Sequence, residues 1–564
     1  MQNRHFHEAP PKSSYQGGFS AMVQSRNLSR PTTLRSIWLL PLLLMGGLFL
    51  LEYDKAGATI PYSNGSGGGG PIAVDISGKV TDSTGAPVVG ALVKLLLAPG
   101  PAKARVMAQE GQEEGQAYQE TTDQNGYYEI SEVPAGLYQM QVDAPGQLPW
   151  GTDLDLREGG AVVQDSQLWP PEGQVVVFQS DATDLIPGDA DDEYMDIYLA
   201  HARGGIEKLS NTPQGQNGGD SFLSVMSDSN RFIVFESKGR LVPEDQNDTC
   251  DVYRFDRATG TLTCLTTVPG FPQEVEYYTT PFTSGDGRFT VFSWRPDAAQ
   301  TRRIFMHDSQ TGEFTQVSVG LTEDGVPDGD CGRPVISAFG RYIAFESWAT
   351  NLVPDQGPDE KHRNIFVHDR LTRTTVRALD APDGSSQWPS ISADGTMLFF
   401  RSEATNLLAD PSPRDMIYVR DLVAKSTAMV SVDNEGNPAA DSCYWPAISG
   451  NGRYVSFSTG AALVPEDTND EWDVYIRDLQ EGTTTLVSQN ATGTNGGNNA
   501  SYSTVLGFDG TYALFVSEAS DLLADGAPSM HRQVYIRDLL NGLNTLVSRT
   551  PAKTPGNGPS ITRL

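Results

Sequence analysis

Three segments of this chain space oxygen side chains as a hard cation would require. Asp245, Asn247 and Asp251 form a D-x-N-x-x-x-D pattern that Asp467, Asn469 and Asp473 repeat. Asp189, Asp191 and Asp196 follow the same idea with one residue inserted. Carboxylate and amide oxygens at alternate positions of a tight loop suit Ca²⁺, at the ~10⁻⁴–10⁻³ M affinity of extracellular modules. A second reading stands beside it: Asp and Asn in such loops make Asx turns that cap an exposed edge. No bidentate Glu closes either loop, and Asp410 and Asp525 stand as single acids at the matching points elsewhere. Calcium is the one cofactor the sequence suggests.

A second constellation mixes aromatic and polar groups. Similar strand phrases align Leu223, Thr280, Arg333, Trp388, Trp445, Ser503 and Gly558 at one level, with the residues just before them at another. Successive strand residues face opposite sides. One of the two levels is therefore expected to line a central channel or its rim. The candidate ligand-binding residues are Arg333, Gln387, Trp388, Tyr444, Trp445 and Tyr502. Aromatic faces with a few convergent polar groups are what a sugar or peptide site uses. The alternative is that the Trp-Pro pairs pack between neighbouring sheets.

Other combinations carry less chemistry. His307-Asp308 and His368-Asp369 pair a base with an acid, but Arg420-Asp421, Arg477-Asp478 and Arg537-Asp538 occupy the same repeat position. A side chain that exchanges with Arg and lacks a third partner is structural, so no catalytic residue is assigned. No G-x-S-x-G elbow occurs. The four cysteines form no CxxC pair and no zinc pattern. A net charge of −31 argues against nucleic-acid partners, whose phosphates need a basic footprint.

These residues are positioned by a repeat. A strand-like run ending in Phe recurs at Phe178, Phe235, Phe292, Phe345, Phe400, Phe457 and Phe515, every 53 to 58 residues. A second anchor follows each: Tyr198, Tyr253, Phe305, Phe366, Tyr418, Tyr475 and Tyr535. Each unit reads as four short strands with Gly- and Asp-rich turns and no helical period, which describes one propeller blade. The last residues, 558–564, match the phrase at 388–392 and are expected to complete the first blade, removing an open edge.

The phrases SADGTMLFF, GNGRYVSF and SGDGRFTVF, followed by DVYIRDL or NIFVHDR, resemble TolB-type WD-repeat-like β-propeller repeats over about 172–564. That resemblance implies a fold more than a function, because such propellers serve as scaffolds, binders and enzyme domains. Residues 72–168 resemble the carboxypeptidase regulatory-like domain, a transthyretin-like sandwich, through Gly78, Val80, Asp82, Gly85 and Pro87, then Asp123, Asn125, Gly126, Tyr128 and Pro134. Asp123 to Gly126 reads as a hairpin turn.

Residues 1–35 read as a disordered leader. Residues 36–58 follow as a signal peptide or signal anchor: Arg26, Arg30 and Arg35 precede an uncharged apolar run at 37–51, and Ala56, Gly57 and Ala58 form a cleavage-like site. The run is shorter than the ~20 residues a bilayer usually needs. Met22 would serve as a start with an ordinary leader. Residues 59–71 are a flexible linker.

The expectation is thus an exported all-β protein: a small sandwich, then a seven-bladed propeller closed by the C-terminal strand. Its expected role is non-catalytic binding or scaffolding in the periplasm or outside the cell, with a protein or glycan partner. The alternative is a carbohydrate- or peptide-binding propeller with hydrolase or lyase activity at the channel mouth.

Overall fold

The structure, a computed structural model, describes residues 73–562 except for short segments, the longest being 98–116 and 268–278. The expected leader, signal segment and linker, at 1–71, lie outside the described residues, as does Asp191. Every described element is a strand or a turn, with no helix among them.

The first two sheets form between 73 and 167. Ala73–Thr81 pairs with Tyr127–Pro134, Gly160–Val163 and Ser166–Gln167. Leu92–Leu97 lies between Ala117–Thr121 and Leu137–Asp143, with Trp150–Asp155 at the edge. Alternate residues of both sheets meet in one apolar core, including Val74, Ile76, Val93, Leu95, Tyr128 and Met140. The turn at Asp123 forms, and Gly126 takes a φ of +78° with the Val80 carbonyl where a Cβ would lie. It is not a hairpin. Tyr127 and Tyr128 pair with Lys79 and Gly78, so the turn passes the chain from one sheet to the other.

Seven further four-stranded antiparallel sheets account for the repeat. Six are sequential, beginning at Ser221–Met226, Phe282–Thr283, Cys331–Ile336, Ser386–Ile391, Cys443–Ile448 and Ser501–Leu506. The first is composite: Val175–Ser180, Asp196–His201 and Ile206–Lys208 are joined by the C-terminal Ser560–Ile561. The two sequence anchors of each repeat are direct cross-strand partners, as in Phe178↔Tyr198 and Phe457↔Tyr475. All seven pairs stack, with centroids between 5.6 Å for Phe178–Tyr198 and 6.5 Å for Phe292–Phe305. Such pairs are worth about 0.5–1.5 kcal/mol beyond the area they bury, so the repeated Phe and Tyr mark the centre of each sheet.

One hydrogen bond recurs between sheets. In five sheets the first residue of the first strand donates its N–H to the residue before the third strand of the preceding sheet: Ser221 to Met195 O, Cys331 to Arg302 O, Ser386 to Arg363 O, Cys443 to Asp415 O and Ser501 to Trp472 O, at 2.7–2.9 Å. Ser560 of the first sheet makes the same bond to Arg532 O of the seventh, at 2.8 Å. Side chains agree, because Phe178 and Tyr198 share a buried cluster with Leu514, Val516 and Val534.

The C-terminal strand joins the sheet as expected but two residues out of the expected register. Ser560 pairs with Ser180, and their hydroxyls lie 2.8 Å apart, just as Ser386 pairs with Ser402 and Ser501 with Ser517. Ser560 is therefore the counterpart of Ser386, and Thr562, not Gly558, is the counterpart of Trp388. The hydroxyl pair sets the register, and the likeness of GPSIT to WPSIS does not.

Candidate functional site

Local backbone geometry builds the site. Five of the first strands carry a bulge at their third residue, Leu223, Arg333, Trp388, Trp445 or Ser503. These residues, and Thr280 just before Phe282–Thr283, have φ between +43° and +56°. Left-handed backbone costs a bulky residue roughly 1 kcal/mol or more. Pro281, Pro334, Pro389 and Pro446 follow four of these residues, where a proline forfeits no ladder bond. The bulge defeats strict alternation. Tyr444 and Trp445, adjacent in sequence and expected on opposite faces, bring their rings within 5.6 Å of each other.

The result is a continuous cluster across the fourth to seventh repeat sheets. Trp388 stacks on Trp445 with centroids 6.2 Å apart and planes 13° from parallel. Tyr444 packs 5.5 Å from Trp388, and Tyr502 meets Trp445 edge-on at 5.9 Å. Arginines cover the rings: Arg333 and Arg401 each lie 5.4 Å from the Trp388 centroid, and Arg532 lies 4.9 Å from that of Tyr502. Gln387 receives a 3.0 Å hydrogen bond from Arg363. The six residues named from the sequence thus lie in one cluster.

The sequence reading missed Glu346, Arg363, Arg401, Trp472 and Arg532. Glu346 and Arg401 sit opposite Gly332 and Gln387 on the second strand. Arg363, Trp472 and Arg532 each directly precede a third strand. Both positions recur in every repeat, and reading them down the alignment would have found them.

Electrostatics order the cluster. Glu346 is buried; its Oε1 accepts from Arg363 at 2.8 Å and its Oε2 from the Trp388 N–H at 3.0 Å. Gln179 receives the corresponding N–H of Leu223, and Glu236 receives the N–H of Thr279, one residue earlier in its sheet. The bond at the left-handed residue is thus shared by Leu223 and Trp388. Asp415 pairs with Arg401, and Glu518 pairs with Arg532. Arg333 reaches Glu346 only at 3.5 Å, and its side chain is 43% exposed. The surrounding protein, then the charges of Arg363 and Arg302, lower its pKa against the opposing pull of Glu346.

The acidic loops lie apart from this cluster in role. Tyr253 donates its hydroxyl to Asp245, Tyr475 to Asp467 and Tyr198 to Asp189, so the anchor of the fold also holds the loop. Asp251, Asp473 and Asp196 accept from Thr266, Ser488 and Ser210. Asn247 and Asn469 make Asx turns to Thr249 and Glu471. In the first sheet Lys208 sits between the two acids, 3.0 Å from Asp189 and 2.7 Å from Asp196. The positions of Lys208 in the second and sixth sheets hold Cys264 and Leu486. There burial, with the neighbouring acid adding to it, raises Asp251 to about 6 and Asp473 to about 7. Among the described residues, no group of three or more His, Cys, Asp or Glu is placed to hold a metal ion.

The recurrent basic-acidic pairs are structural. Asp256, Asp308, Asp369 and Asp478 form ion pairs with the turn arginines Arg231, Arg288, Arg341 and Arg453. His307 packs on Phe314, and His368 bonds Thr375. The four cysteines are buried.

No curated protein matches this chain in sequence. Among solved structures, TolB from Acinetobacter baumannii is 13% identical, covering 62% of this chain and 75% of that chain with a TM-score of 0.34. An oligogalacturonate lyase in complex with manganese is 13% identical, covering 66% and 85%, with a TM-score of 0.38. The β-propeller domain of the Trilobed protease from Pyrococcus furiosus is 10% identical, covering 67% and 96%, with a TM-score of 0.41. The family model of the carboxypeptidase regulatory-like domain matches residues 75–168, the segment whose sequence resembles it.

Proposed function

We propose that the seven repeat sheets are blades of one closed β-propeller, and that this propeller is the docking surface of an exported, non-catalytic protein of the cell envelope. Ring closure is supported by the bond from Ser560 to Arg532, which repeats between the seventh and first sheets the bond seen between five other neighbouring pairs. Export is supported by the arginine-rich leader, the apolar run at 37–51 and the small residues at 56–58.

The observation that carries the binding role is the half-buried cluster of Trp388, Tyr444, Trp445 and Tyr502 with its arginines. Trp, Tyr and Arg are the residues that dominate binding energy at protein interfaces. Trp445 stacks on the Trp388 ring, and Arg333 and Arg401 lie over it, so the ring surface that a sugar would need is already in contact with protein groups. That arrangement favours a protein segment meeting ring edges over a sugar lying flat. The cluster carboxylates Glu346, Asp415 and Glu518 are each committed to an arginine, which leaves them poorly placed to move a proton.

Arrays of immobilised peptides and glycans test this. The intact protein should bind peptides, cleave nothing, and lose at least about tenfold in affinity in the double variant Trp388→Ala, Trp445→Ala while remaining folded. Retention on glycans alone, or release of cleaved products, would overturn the reading.

A further inference from the structure

The arginines of the cluster are not equivalent. Arg363, Arg401 and Arg532 each hold a carboxylate at hydrogen-bonding distance. Arg333 does not. Among the described residues its carboxylate neighbour is Glu346, which has Oε1 engaged by Arg363 and Oε2 by the Trp388 amide and approaches Arg333 only to 3.5 Å. Glu346 cannot fully neutralise two guanidinium groups. Arg333 is thus the surplus charge of the cluster, and it is also substantially exposed.

Its conformation is costly as well. The backbone of Arg333 is left-handed at φ +48°, where glycine would be relaxed. The Trp388 ring at 5.4 Å restrains the guanidinium. A guanidinium held against a ring and short of a close partner presents a preorganised fork, the geometry that recognises a carboxylate bidentately.

We infer that the ligand is a peptide segment bearing a carboxylate, which Arg333 holds while neighbouring apolar side chains of the segment meet Trp388 and Trp445. This inference rests on the protein-binding reading above and goes beyond it by fixing the chemistry of the partner. The carboxylate can come from an Asp or Glu side chain or from a chain terminus. The charge of the whole protein makes the choice selective. A chain with a net charge of −31 repels acidic partners in general, so only a segment whose carboxylate reaches Arg333 is compensated.

The test uses the full chain and fluorescent hexapeptide pools of matched hydrophobicity, read by anisotropy. One pool carries Asp or Glu and an amidated end, a second carries neutral residues and a free C-terminal carboxylate, and a third is neutral and amidated. Either carboxylate pool should bind at least about tenfold more tightly than the third, and whichever binds identifies the source. Arg333→Gln should erase that preference, bringing both carboxylate pools to the affinity of the neutral pool. Arg333→Lys, which keeps the charge but loses the fork, should restore it only in part, and it serves alone if Arg333→Gln does not fold. Equal binding of all three pools, or a preference that survives Arg333→Gln, would overturn the inference and leave the protein-binding reading standing. No peptide binding at all would remove both. Preferential binding of a soluble uronic-acid polymer would replace the peptide with a glycan and overturn the inference.

Discussion

Replacing Asp251 with Asn should stabilise the protein near neutral pH, and the gain should vanish on acidification. Asp251 is 1% exposed and lies beside Asp245, with Cys264 where the first sheet has Lys208. Burial, then the charge of Asp245, raise its pKa to about 6 from an ordinary 3.8. A raised carboxyl pKa means that the folded state holds a proton the unfolded state has released. The stabilising contribution is therefore complete below about 3.8 and lost as pH rises through about 6. At about 1.4 kcal/mol per pKa unit, the ionised acid costs roughly 2–3 kcal/mol at pH 7.5 relative to a neutral isostere. Asn keeps the acceptor for Thr266, and its amide can donate to the Thr249 hydroxyl, which now lies 3.4 Å from Asp251. Asn364 already occupies the matching position of the fourth sheet. Urea unfolding of both proteins from pH 4 to 8 provides the assay. The difference should grow from near zero at pH 4 to about 2–3 kcal/mol above pH 7. Contributions of other groups, including His368, whose pKa burial lowers to about 4, largely cancel in the difference. A constant difference, or a less stable Asn variant at pH 7.5, would refute the reasoning.

Three further outcomes are expected. Deleting 557–564 removes the Ser560 bonds to Ser180 and Arg532 and those of Asn557 to Thr183 and Asp184, and it should lower the melting temperature of the whole repeat region; an unchanged midpoint would show that the ring does not depend on this strand. Gly395→Ala should cost about 2–4 kcal/mol, because φ is +73° and the new Cβ would lie 2.1 Å from the Tyr342 ring, whereas Gly312→Ala, at φ +74° with open space, should cost only about 1 kcal/mol in chemical denaturation. Thr280→Gly should stabilise by about 0.5–1 kcal/mol by relieving a β-branched residue at φ +48°, and a lower unfolding midpoint would contradict the strain assigned to the bulge.

Much of the architecture was legible because its signals are local and repeated. Phe and Tyr anchors recur at near-constant spacing and prove to be cross-strand partners, which needs only the period and the alternation of strands. Where non-local bonding decides, the sequence misleads. The C-terminal register depends on a hydroxyl pair formed with Ser180, far away in the chain, and not on the resemblance of one short phrase to another. The turn at Asp123 has hairpin chemistry, yet its flanking strands enter different sheets because Tyr127 and Tyr128 find their partners at Lys79 and Gly78. The candidate site was half legible. Its ring of residues follows from alignment, but Glu346 and Arg401 join it only because second strands lie beside the bulges.

The bulge separates what this fold requires from what its sequence has added. Five first strands enter left-handed backbone at the third residue, and the third sheet does so at Thr280 just before its short first strand, so the strain belongs to the architecture. In the second, third and seventh sheets the strained residue is Leu223, Thr280 or Ser503, none of which brings a charge or an aromatic ring. Three consecutive sheets place Arg333, Trp388 and Trp445 there, and these make ring contacts with one another across sheet boundaries. Packing alone does not demand that choice, since the same backbone is built elsewhere with smaller groups. The added side chains also bring their own support: Glu346 fixes the Trp388 amide, and Arg401 fills the space between Trp388 and Tyr444. A repeat that is uniform in backbone and uneven in chemistry makes the uneven part the surface on which the proposed binding role is to be tested. In this chain that part is the arc from Arg333 to Tyr502.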